Sequence, residues 1–172
     1  MMPKSPESLS IHFARQTLQA EGELEKEGYR LPGRPLHEMP KVPAHPSDLT
    51  DDDLMDLFAD LVRWSDHVGG VLAMCEIDER TCEALFDMAF SLVLPTFAPT
   101  KREGSVTIAK SEAMQHPEVR DANDNRNVAY ARRKLMQTIY ANLERDTQLV
   151  SRELTRRTAR YDNELRYGKY RP

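Results

Sequence analysis

The residues with the clearest chemical potential are cationic and aromatic, and they gather at one end, in "SRELTRRTARYDNELRYGKYRP". Arg152, Arg156 and Arg160 recur at four-residue spacing, so on a helix their guanidinium groups share one ridge and meet phosphate oxygens as a row. Such a row holds backbone charge without reading sequence. The interleaved Tyr161, Tyr167 and Tyr170 suit stacking by unpaired bases, which favours single strands over duplex. The plainer alternative is a solvated helix end whose cations complement the negative end of the dipole. Further basic clusters stand at Lys101-Arg102 and Arg132-Arg133-Lys134.

Catalytic patterns are missing from the sequence. It contains no glycine-rich phosphate loop, no H-E-x-x-H and no paired C-x-x-C. Cys75 and Cys82 are seven apart and share a helical face with Asp78 or Glu79 between them, a conceivable metal site, but buried free cysteines in a reducing compartment explain them better. His12, His37, His45, His67 and His116 have no ligand spacing. The carboxylates of "DDDLMD" suit a helix start, with an acidic face for a basic partner as the second use. The expectation is a protein with no catalytic residue, metal site or cofactor, and not an enzyme.

The elements that must position these cations are helical. Of 172 residues 40% are hydrophobic and 30% charged, mean hydropathy is −0.64, and with only 7 glycines few tight turns are available for a sheet. The fold class expected is all-α. The longest apolar run, "MAFSLVLPTFAP", falls short of the ~20 residues that span a bilayer, and "MMPKSPESLS" lacks the pattern of a secretory signal, so a cytoplasmic location is expected. Charge is unevenly placed. Residues 1–100 carry 8 Lys/Arg against 18 Asp/Glu, and residues 101–172 carry 16 against 10, which suits either phosphate contact by the basic half or internal pairing of an acidic helix with a basic one.

Residues 1–46 read as a weak arm helix beginning near Pro6, followed by a proline-rich linker, "RLPGRPLHEMPKVPAHP", that can wrap a neighbour. A second region, 47–172, opens at "DLTDDDL". There Thr50 caps a helix, Asp53 completes a capping box and Leu49 with Leu54 forms a hydrophobic staple. Three-and-four apolar spacing from Leu54 to Val93 predicts a long helix ended by Pro95, with a possible bend at Gly69-Gly70. A short helix after Ser105 precedes Pro117, which is placed as the first residue of a last helix. That helix runs about 70 Å at 1.5 Å per residue, because Glu118 to Tyr167 holds neither proline nor glycine. Leu135, Ile139, Leu143, Val150 and Leu154 form its apolar stripe, interrupted by Arg126, Arg133 and Thr147. Two such helices make an antiparallel hairpin that leaves apolar surface uncovered, so a coiled-coil-like homo-oligomer is expected with that stripe as its seam.

The order of these parts resembles the UvsY-like recombination-mediator family of bacteriophages. The likeness is carried by "GSVTIAKSEAMQHPEVRDA" ahead of a terminal helix with "LVSRELTRR", and it covers about residues 50–160. Lys110 and Glu112 match the family's Lys-Ser-Glu piece, and Leu135, Ile139 and Leu143 its apolar terminal helix. The resemblance implies a ring-like homo-oligomer that binds single-stranded DNA and helps a RecA-like recombinase replace a single-strand-binding protein in the host cytoplasm. One departure is the first long helix, which ends in "ALFDMAF" without the family's basic residues; Lys101 and Arg102 are the nearest substitutes. The residues expected to meet DNA are Lys101, Arg102, Lys110, Arg132, Arg133, Lys134, Arg152, Arg156, Arg160 and Tyr167. A helical assembly protein of a phage particle, with no DNA-binding role, is the alternative.

Overall fold

Thr50 opens the first long helix as its neighbours predict. Its hydroxyl accepts from the Asp53 amide at 3.1 Å and donates to the Asp53 carboxylate at 2.6 Å, while Leu49 and Leu54 join one apolar cluster. The structure, a computed structural model, describes residues 6–97 and 106–168, with side chains from 15 to 97 and from 106 to 163. Among the described residues there are four α-helices and no strand: α1 (Pro6–Lys26), α2 (Asp51–Phe97), α3 (Val106–Gln115) and α4 (Pro117–Gly168). The two long helices, α2 and α4, pack against each other as a helical hairpin. No described helix is long and apolar enough to cross a membrane.

Helix ends follow local chemistry. At the end of α1, Gly28 takes φ +92°, and the Tyr29 amide reaches the Leu24 carbonyl at 2.9 Å, a left-handed cap that favours glycine. Pro117 stands first in α4. Pro95, expected to end α2, instead lies within its last turn: the helix continues to Phe97, with the Thr96 hydroxyl donating to the Val93 carbonyl at 2.6 Å. So near a C-terminus the missing proline N–H removes a single helical bond. Nor does α2 stop at Gly69-Gly70. A Cβ on Gly69 would lie 3.2 Å from Tyr140 Cε2, so this glycine makes room for the tyrosine ring.

The inner seam of α4 differs from the stripe read from its apolar residues. Positions 119, 122, 126, 129, 133, 136, 140, 143, 147, 150, 154 and 157 are each buried or half-buried, a strict alternation of three and four residues. Leu143 and Val150 are almost fully buried within the chain, and Leu154 packs against the same cluster. Leu135 and Ile139 lie off the seam and are exposed. The expected stripe therefore mixes two faces, and Leu143 and Val150 are not available to a second copy. The polar interruptions are answered inside the chain: Arg126 lies over the Phe86 ring at 4.2 Å, Arg133 pairs with Glu79, and the Thr147 hydroxyl bonds the Leu143 carbonyl at 2.7 Å.

The chain divides into two compact units. One comprises the residues up to Arg30 with Leu72–Leu135; the other comprises Leu31–Val71 with Met136 onward. The first has a core of Phe86, Ala89, Val93, Ala113 and Val119, with Phe90, Leu94, Phe97 and Met114 packed against it. The second is built on Leu54, Leu61, Trp64, Val68, Leu143 and Val150. The proline-rich segment belongs to this second unit and packs against α2 instead of forming a free linker. Pro32 O lies 3.1 Å from His67 Nδ1, Arg34 sits 5.8 Å from the Trp64 ring, and Val42 packs on the apolar cluster.

Candidate functional site

The cations expected to act together fall into different environments. Arg132 lies 3.6 Å from Asp78, and Arg133 holds Glu79 through two bonds, Nε to Oε2 and Nη2 to Oε1, the latter at 3.2 Å. Both partners sit on α2. The Arg133 and Glu79 side chains are only 18% and 12% exposed, and the bonded carboxylate raises the arginine's pKa. Lys134 lies 6.0 Å from the Tyr130 ring centroid. In this triplet the acidic helix has taken Arg132 and Arg133, and internal pairing accounts for them without a ligand. Lys110 is exposed on α3; Lys101 and Arg102 lie outside the described residues.

The end of α4 is arranged differently. Arg152, Arg156 and Arg160 are exposed, as the four-residue spacing requires, and Tyr161 beside them is 63% exposed. The Tyr167 side chain and Tyr170 lie outside the described residues. Arg156 donates to Glu153 at 2.6 and 2.8 Å yet stays 58% exposed. Bonds from Arg156 and then Arg157 hold the Glu153 carboxyl down to about 2. Arg152 makes no ion pair among the described residues.

Arg157, one position off the ridge, is the residue that spacing alone passes over. Its Nη1 binds Asp51 at 2.6 Å and its Nε binds Glu153 at 3.0 Å. Its Nη2 reaches the carbonyls of Pro46, Ser47 and Leu49 at 3.3, 3.0 and 2.9 Å. One guanidinium thus fastens the α4 end to the turn that leads into α2. The signal was periodic: 143, 150 and 157 are seven apart, which puts Arg157 on the inner seam with the two buried apolar residues.

Beside the ridge lies a groove of about 290 Å³ walled by His45, Ser47, Arg152 and Arg156, with Glu153 inside and Ala44, Pro46 and Leu149 as its apolar part. Among the described residues no three metal-ligating side chains come together, and Cys82, whose thiol burial and then Asp78 push up, faces no such group. Comparison with protein-family models, curated proteins and solved structures finds no match for this chain.

Proposed function

We propose that this chain is a non-enzymatic, homo-oligomeric single-stranded DNA-binding protein of the recombination-mediator type, working in a phage-infected cell's cytoplasm to help a RecA-like recombinase displace a single-strand-binding protein. The observation that carries the DNA-binding part is the α4 ridge, where Arg152, Arg156 and Arg160 face solvent at one-turn spacing beside an exposed Tyr161. Arginines so placed meet successive phosphates, and the ring offers a stacking surface. Arg132 and Arg133 contribute less, being held by Asp78 and Glu79. Self-association falls to the exposed apolar residues on the outside of α4, Val128, Leu135 and Ile139, and multiplies contacts that are weak singly.

Fluorescence anisotropy of a labelled oligothymidylate against rising salt tests this. Three phosphate contacts per chain give a slope of about −2 in log K against log salt. Reversing Arg152, Arg156 and Arg160 to glutamate flattens that slope and weakens binding. No binding even at low salt defeats the reading and leaves the helical assembly protein.

A further inference from the structure

The groove beside the ridge contains its own anion. Glu153 projects among the arginines that wall it, and the way its partners divide is unequal. Arg157 is 19% exposed and holds Asp51 and three carbonyls besides Glu153; Arg156 is 58% exposed, and among the described residues it pairs with Glu153 alone. A newcomer anion can therefore draw Arg156 outward while Glu153 remains bonded to Arg157 at 3.0 Å. No carboxylate is stranded by the exchange, which removes the main electrostatic cost of opening the pair.

What the lining offers fits a phosphate group. Arg152 and Arg156 are forked donors suited to its oxygens, and His45 and Ser47 line the same groove. The volume of about 290 Å³ is close to the roughly 300 Å³ at which small-ligand pockets begin, enough for a phosphate with part of what it is attached to. Leu149, 47% exposed, and Pro46 give that attached part an apolar surface.

We propose that this groove is a phosphate-binding site in which the ligand takes Arg156 from Glu153, and that Glu153 sets the affinity as a built-in competitor. Identifying the ligand as a strand's phosphodiester rests on the DNA-binding reading; a free phosphate has the same chemistry. His45, from the end of the proline-rich segment, and Ser47 just after it make that part of the chain part of the site.

The full chain separates these cases when titrated with inorganic phosphate, followed by the His45 ring and Ser47 amide resonances, and with labelled oligothymidylate, followed by anisotropy. Glu153→Gln removes one unit charge a few ångströms from the ligand and raises affinity about fivefold in water-like surroundings. It leaves Arg157 with Asp51 and its carbonyls, so the fold persists, which the melting curve verifies. Arg152→Ala lowers affinity roughly tenfold. Both effects with both ligands establish the groove as a strand site. Both effects with inorganic phosphate, and no oligonucleotide binding, keep the groove as a site for a free phosphoryl ligand and overturn the DNA-binding reading. Oligonucleotide binding indifferent to both variants, with unmoved His45 and Ser47 resonances, overturns the groove and leaves DNA binding in place.

Discussion

The two units use the same pair of helices to opposite ends. In the unit containing Leu72–Leu135, α4 turns Arg133 to Glu79 and Arg126 to the Phe86 ring, beside a core of Phe86, Ala89, Val93, Ala113 and Val119. In the unit containing Met136 onward, the seam is filled by Leu143, Val150 and Leu154, one arginine ties down the incoming segment, and Arg152, Arg156 and Arg160 are exposed. The lesson is that a basic helix is not uniformly a binding surface. A cation on the inner seam opposite a carboxylate of the partner helix becomes structural, as Arg133 and Arg157 do, and one that points off the seam stays exposed.

That contrast breaks most sharply in the cores. Leu61→Ala, at a fully buried position, lowers stability by about 2–5 kcal/mol in a denaturant titration, and Val119→Ala, equally buried but losing one carbon fewer, costs about 2 kcal/mol. A loss well below these at either position would show that its core closes over the cavity. Arg157→Ala comes next. Hydrogen exchange is expected to rise at the amides of residues 47–54, and the melting temperature to fall by less than for Leu61→Ala; unchanged exchange would show the clamp to be dispensable. In the other unit, Arg133→Leu destabilises by stranding Glu79, and adding Glu79→Leu recovers much of the loss, as is usual when both members of a half-buried pair are replaced. A double variant no better than the single would assign Arg133 another role.

Acid probes the outward-facing region. Glu153 is held down to about 2 against an ordinary 4.5, so its contribution is complete above pH 4.5 and disappears as pH falls from there toward 2. Thermal melts of Glu153→Gln are expected to depend less on pH across that window than those of the parent chain. The smallest effects belong to the glycine pair. Gly70→Ala meets only ordinary contacts at 3.7 Å and gains up to about 1 kcal/mol of helix propensity, while Gly69→Ala gives back part of that gain by pressing on Tyr140.

How much of this could be read beforehand depended on whether the signal was local. The α2 start was legible because Thr50, Asp53, Leu49 and Leu54 act on one another within six residues. The continuity of α4 was legible from the lack of breakers. Its seam was legible only in part, because Arg126, Arg133 and Thr147, which interrupt the apolar stripe, hold inward positions together with Ala129 and Arg157, while Leu135 and Ile139 are apolar and exposed. The arginine ridge emerged from spacing along one helix. Its groove did not, since His45 and Ser47 approach it from a hundred residues away in sequence.

Arg157 carries a last consequence. Of the four groups it grips outside its own helix, three are main-chain oxygens, which every amino acid supplies alike. The letters at 46, 47 and 49 can therefore drift without loosening the fastening, but gaining or losing one residue there would shift the carbonyls out of reach. This clamp fixes the length of that stretch, while its letters answer to other duties, Leu49 to the apolar cluster and Ser47 to the groove.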